Sequence, residues 1–232
     1  ITTNAEMICG SKEDPDDISE WNGITFSESG EVVEILWKLA YPLEGTLSLQ
    51  WLPLTVQKVH IFHYSFPTAL TGSVELTSLP PVFSELNMDF NKLSGEINLT
   101  KLPSSMKVLS LYSNKLSGKI NLEHLPEAMI SINLRNNAFS GSICLTKLPY
   151  GFQDLNLSEN SLCGTLDCSR LPATMKDLSV FDNLFHGVSD FGQLPVSLKR
   201  LTISGNELLE GEIVYLETRQ VRYTLTRVRL RW

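Results

Sequence analysis

The dipeptide Leu-Pro returns at Leu79-Pro80, Leu102-Pro103, Leu125-Pro126, Leu148-Pro149, Leu171-Pro172 and Leu194-Pro195, 23 residues apart each time. An asparagine keeps the same step at Asn91, Asn114, Asn137, Asn160, Asn183 and Asn206, and a glycine at Gly95, Gly118, Gly141, Gly164 and Gly187. Apolar pairs keep it too: Leu109 and Leu111 return as Ile132 and Leu134, Leu155 and Leu157, Leu178 and Val180, Leu201 and Ile203. A fixed period in the twenties is the mark of a solenoid, in which each coil buries its apolar side only by stacking on the next. Length alone would let 232 residues form one domain or two; the period selects one.

Within one coil, Met106-Lys107-Val108-Leu109-Ser110-Leu111-Tyr112 alternates as a strand does. Pleating sends Leu109 and Leu111 to the inside and Val108, Ser110 and Tyr112 to the opposite face. Stacked coils then pair these strands in parallel, roughly 4.8 Å apart. Asn114 ends the strand, where a side-chain amide can bond the backbone of a bend, and a column of such residues is expected to bond from coil to coil. Gly118 suits a positive φ that other residues resist. Leu116, Ile120, Leu122 and Leu125 point inward again. Leucine before proline is pushed out of the helical region, and Pro103 suits the start of a short helical turn over Ser104-Ser105-Met106.

The complete phrase, Leu-x-x-Leu-x-Leu-x-x-Asn-x-Leu-Ser-Gly-x-Ile-x-Leu-x-x-Leu-Pro, resembles the leucine-rich repeat family in its plant type, over about residues 31–216. The resemblance implies an α/β-type solenoid that is mostly β. It would be a right-handed horseshoe with a parallel concave sheet and a convex side of 3₁₀ turns and short extended pieces. The expected organisation is an N-terminal cap over 1–30, eight repeats over 31–216, and a basic cap or tail over 217–232. Ile35 and Trp37 take the inward slots of a degenerate first repeat, and Val59 and Ile61 those of the second. The step from Leu52-Pro53 to Leu79 is 27, which places four extra residues, expected as a loop, between Phe66 and Gly72. Trp21-Asn22-Gly23-Ile24-Thr25-Phe26 is similar to the Trp-x-Gly-Val-x-Cys phrase that opens plant-type repeat ectodomains. Phe26 stands where that family has cysteine, so the cap is expected without its disulfide.

Charge and composition exclude several functions. Arg219, Arg222, Arg227, Arg229 and Arg231 against Glu217 give the tail a net +4, which leaves −11 on the body of a chain whose total is −7. An acidic body is a poor partner for nucleic acid. No run of about 18 apolar residues is present to span a membrane. The four cysteines are expected as free thiols, with Cys144 outward, Cys168 inward, and Cys163 with Cys168 the pair to examine. His60, His63, Glu85 and Asp89 share neighbouring slots, but their spacing is no known metal motif, and solvated surface side chains explain it; no metal and no cofactor are expected. His124 and His186 are isolated and expected on the surface. No Gly-x-Ser-x-Gly, phosphate-cradling glycine loop or His-Glu-x-x-His occurs, and the chain is read as non-catalytic.

The register also fixes which side chains stand on the concave face. In order they are Lys58, His60 and Phe62; Glu85, Asn87 and Asp89; Val108, Ser110 and Tyr112; Ser131, Asn133 and Arg135; Asp154, Asn156 and Ser158; Asp177, Ser179 and Phe181; Arg200, Thr202 and Ser204. Single aromatics among polar groups, beside an acidic cluster of Asp154, Glu159, Asp177 and Asp182, have the makeup of a protein interface. The candidate binding residues are Phe62, Tyr112, Arg135, Asp154, Asn156, Asp177, Phe181 and Arg200, with a protein or peptide as partner and the chain as a monomer. The family resemblance implies recognition as well. The alternative is a structural or surface-coat repeat protein, the ectodomain of an anchored or secreted chain, with no specific concave ligand; a glycan- or lipid-sensing ectodomain is a third reading. A secreted or cell-surface location is expected ahead of a cytoplasmic one. There Asn98-Leu99-Thr100 and Asn156-Leu157-Ser158 become glycan acceptors, and a glycan on Asn156 would obstruct the concave face.

Overall fold

The computed structural model describes residues 5–11, 13, 14, 16–38, 43–62, 69–214, 220–222, 224 and 226–231. His63 and most of the extra loop after the second repeat lie outside them, as does the start of the basic tail. Among the described residues ten strands form the inner sheet: Ile24–Phe26, Val32–Lys38, Lys58–Phe62, Glu85–Asn87, Val108–Ser110, Ser131–Asn133, Asp154–Asn156, Asp177–Ser179, Arg200–Thr202 and Gln220–Arg222. All neighbours are parallel except the first pair, an antiparallel hairpin that closes the N-terminal edge. Register follows the repeat: Ser131, Ile132 and Asn133 face Asp154, Leu155 and Asn156, which in turn face Asp177, Leu178 and Ser179. Each slot of the repeat is therefore a straight column of side chains.

The inward columns are as the alternation predicts. Leu109, Leu111, Ile132, Leu134, Leu155, Leu157, Leu178, Val180, Leu201 and Ile203 are buried, as are Leu116, Ile120, Leu122 and Leu125 from the returning half of the coil. They meet across a core bounded by a second sheet, nine strands among the described residues, which include Lys92–Gly95, Lys115–Gly118, Ala138–Gly141 and Ser161–Gly164. These strands carry the Leu-Ser-Gly phrase and end on glycines of positive φ, such as Gly118 at 84°. Separate extended pieces were the expectation here; in the structure they pair into a sheet. A coil of 23 residues has a long outer arc to cover, and extended chain advances about 3.3 Å per residue against 1.5 Å for helix. Once every coil is extended at the same place, stacking brings the backbones to pairing distance. Among the described residues 3₁₀ helix is confined to Ile18–Glu20 and Leu49–Trp51. After each Leu-Pro the chain makes one tight turn instead, closed by a bond such as Met106 N–H to the Pro103 carbonyl at 3.0 Å.

The asparagine column forms the expected ladder. The Asn114 amide donates to the carbonyls of Leu111 in its own coil and Met88 in the previous one, both at 3.0 Å, and its Oδ1 accepts from Leu93 N–H at 3.0 Å. Asn137 and Asn160 repeat the pattern one and two coils on. Each asparagine thus satisfies backbone groups that the bend leaves without sheet partners.

At the N-terminal end Ile8, Cys9 and Trp37 are buried, and the Trp37 indole donates to the Asn22 carbonyl at 3.0 Å. At the other end the basic segment extends both sheets: Gln220–Arg222 pairs with Arg200–Thr202, and Arg227–Arg231 with Leu208–Val214. Arg227 reaches Glu210 at 3.0 Å. All four cysteines are free; Cys168 is inward, and burial pushes its thiol up to about 12. No helix among the described residues is long and apolar enough to cross a membrane.

Candidate concave binding site

Three columns cross the middle of the inner sheet and shape a depression of about 330 Å³. Asn133, Asn156, Ser179 and Thr202 form its floor, a row of amides and hydroxyls. Asp154, Asp177 and Arg200 stand along one side, in register on successive strands. Arg135 and Phe181 stand along the other. Six of the eight residues expected from the sequence are thus brought together: Arg135, Asp154, Asn156, Asp177, Phe181 and Arg200. Tyr112 borders them through Arg135. Phe62 does not join them; it ends the strand Lys58–Phe62, whose column runs on through the coils of Asp89 and Tyr112 before reaching Arg135.

Arg135 is the fixed point of the site. Its guanidinium lies 5.4 Å from the Tyr112 ring and 5.0 Å from the Phe181 ring, while Nη2 and Nε hold Glu159 Oε1 at 2.6 and 3.1 Å. Phe181 is two coils beyond Arg135, so the side chain must cross the coil between them. It can because Ser158, the residue there, is small and 0% exposed, its hydroxyl turned to Ser179 Oγ at 3.2 Å. Cation and two rings, packed together and half-buried, make a rigid wall. On the opposite side Arg200 Nε meets Asp177 Oδ2 at 2.5 Å. Burial raises the pKa of Asp177, Arg200 opposes that shift, and the charge of Asp154 on the neighbouring strand adds to it.

The histidine and carboxylate slots nearer the N-terminus make no such site. Glu85 is taken by Lys58 at 2.8 Å, with His60 at 3.7 Å, and Asp89 is buried. Among the described residues no group of three or more His, Cys, Asp or Glu is placed to hold a metal ion.

No protein-family model matches this chain, and no curated protein does. Solved structures do. A TDR receptor aligns with a TM-score of 0.60 at 16% identity, over 86% of this chain and 35% of that one. The leucine-rich repeat ectodomain of the plant membrane receptor kinase GASSHO1/SCHENGEN3 from Arabidopsis thaliana, solved in complex with Casparian strip integrity factor 2, gives 0.56 at 18%, over 91% and 32%. The chain is a leucine-rich repeat solenoid. A plant ice-binding protein aligns at 0.53 and 17%, over 96% of this chain and 89% of that one. This leucine-rich repeat chain therefore spans about a third of the two receptor structures and most of the third neighbour. At these identities the likeness is one of fold.

Two features of the repeat surface escape the strand pattern. Each inner strand from Glu85–Asn87 to Arg200–Thr202 is followed by a residue of positive φ just before the ladder asparagine: Phe90 (55°), Ser113 (56°), Asn136 (55°), Glu159 (55°), Asp182 (50°) and Gly205 (71°). Asn136, Asp182 and Gly205 are residue types that take this conformation readily, whereas Phe90, Ser113 and Glu159 are not, so composition does not announce it. The Glu159 side chain reaches Arg135 from this position, and Phe90 meets the Tyr112 ring edge-on with centroids 4.6 Å apart. The second feature is that small concave side chains are covered: Asp89, Ser110, Ser158, Ser179 and Thr202 are all buried. The outward slot of a strand gives direction, and the bulk of the neighbours decides exposure.

Proposed function

We propose that this leucine-rich repeat chain is a non-catalytic recognition module that holds a protein or peptide segment in the concave depression between Asp154-Asp177-Arg200 and Arg135-Phe181. The observation that carries the reading is the Tyr112–Arg135–Phe181 stack. A long, flexible arginine fixed by two rings and a carboxylate has given up its freedom before any partner arrives, which is what an interface anchor requires. The floor adds amides and hydroxyls suited to an extended backbone. Carboxylates along one wall disfavour phosphate groups, which supports a protein over a nucleic acid. The receptor ectodomain solved in complex with Casparian strip integrity factor 2 shares the fold, and that supports recognition as the general role.

The coat or stalk reading gains less. A surface that acts through repetition needs columns of like side chains, whereas one concave column here runs Lys58, Glu85, Val108, Ser131, Asp154, Asp177 and Arg200. A photo-crosslinking residue placed at Asn133 tests the concave face against one placed at Tyr150, an exposed turn residue. Discrete adducts from the native source are expected at Asn133 alone. Combined Arg135→Ala and Phe181→Ala should weaken them about tenfold or more, as truncation of an interface anchor does. Equal labelling from both positions would sink the concave reading.

A further inference from the structure

Four charged side chains line the depression, and three of them are already engaged. Arg135 is held by Glu159, and Asp177 and Arg200 hold each other. The Asp154 carboxylate has neither a hydrogen-bond nor an ion-pair partner among the described residues. Resting on the concave reading above, we propose that the occupant is an extended peptide segment that sets one lysine or arginine side chain against Asp154.

Charge complementarity decides the sign. Asp154 stands in register beside Asp177, and the two carboxylates repel: Asp154 is among the causes that raise the pKa of Asp177. A cation arriving at Asp154 relieves that repulsion and completes an alternation that Arg200 has begun on the other side. An anionic side chain would meet the opposite situation, since both arginines are occupied and the open carboxylate faces it. The aromatic faces are no alternative seat, because Tyr112 and Phe181 both already stack on Arg135. Size points to a short segment. The depression, about 330 Å³, lies at the lower end of the range of ligand clefts, roughly 300–1,000 Å³. Its floor of Asn133, Asn156 and Thr202 provides donors and acceptors for the peptide groups flanking the cation.

The test is a random heptapeptide display library panned on the full chain. Enriched peptides are synthesised with Lys, Gln or Glu at each basic position, and their affinities are measured by fluorescence anisotropy. Enriched sequences should carry Lys or Arg at one fixed position, and the Gln version should bind the unaltered protein about tenfold or more weakly, the lower end for a close charge pair. Asp154→Asn should abolish that discrimination, and Asp154→Lys should turn the preference to Glu. The Asp154 carboxylate makes no bond among the described residues, so both variants should keep the circular-dichroism melt of the unaltered chain. Peptides that lose affinity on Phe181→Ala yet ignore both the cation and Asp154→Asn would overturn this inference and leave the concave reading standing. A library that yields no binders, or binders indifferent to Phe181→Ala and Arg135→Ala, would overturn both.

Discussion

Asp89 stands in an outward slot of its strand, yet it is only 6% exposed. Its carboxylate accepts from the Ser110 hydroxyl at 2.6 Å and from Tyr112 N–H at 2.8 Å, and so ties its coil to the next. Burial still dominates: its pKa lies above the ordinary aspartate range, with the bonds from Ser110, Tyr112 and Asn87 only partly offsetting desolvation. Between the unfolded and folded pKa values the native state binds the proton more tightly, so stability rises as pH falls through the folded value, and the burdened carboxylate is fully present above it. Asp89→Asn removes this titration and keeps an acceptor. Urea unfolding of both proteins from pH 7 to pH 4 should show the unaltered chain gaining relative to Asp89→Asn as pH falls; parallel curves would refute the assignment. Alternation read from the sequence gives the direction of Asp89 and not its burial. That depends on the bulk of its neighbours, among which Phe90 reaches Tyr112 from a left-handed backbone position that its residue type does not betray.

At the scale of the element, the turn after the second-sheet strand carries a column of its own. Asn98, Asn121, Asp167 and Asp190 each accept, through Oδ1, from the backbone N–H two residues on, at 2.8 to 3.0 Å, and Glu75 does so through Oε1 at 2.9 Å. The coil between Asn121 and Asp167 has Cys144 there, whose sulfur reaches the Thr146 hydroxyl at 3.3 Å and the Glu123 carboxylate. Sulfur is a weak acceptor, so this turn lacks the bond its neighbours have. Cys144→Asn supplies it and should stabilise the protein by about 1 kcal/mol, the usual net value of one such bond, read as a raised urea midpoint at unchanged slope. A lower midpoint would mean that the thiol fills its space better than an amide does. The column was legible only in part. The period aligns these positions, but Asn, Cys, Asp and Glu share no hydropathy signal, and only backbone geometry shows that they do one job. The second sheet is similar: from Leu70–Gly72 to Ser161–Gly164 three or four extended residues per coil are too short for an alternation to appear, and their pairing comes from stacking.

For the molecule as a whole, the period that reveals the fold also governs how it responds to damage. Each coil touches its neighbours, and stability in such a chain is close to a sum of coil terms and nearest-neighbour terms. Leu134, Leu157 and Ile203 occupy one inward column and are all fully buried, the first two on adjacent coils and the third two coils beyond Leu157. Each, cut to alanine, should cost about 2–5 kcal/mol from lost burial and the cavity left behind. The combinations separate the models. Leu134→Ala with Leu157→Ala opens one shared cavity and should depart from additivity by about 0.5–3 kcal/mol, whereas Leu134→Ala with Ile203→Ala should add to within about 0.5 kcal/mol. Equal coupling in both pairs, measured by urea unfolding, would mean that the coils do not act through neighbours alone. The same columns explain why the placing of the candidate residues was mostly legible from sequence: the register that buries Leu134 and Leu157 also fixes Arg135, Asp154 and Asn156 beside one another. The exception, Phe62, marks the limit of that logic. A column guarantees a shared face, but with strands roughly 4.8 Å apart a shared site needs coils close enough for side chains to meet, and Arg135 reaches Phe181 only because Ser158 leaves the way open.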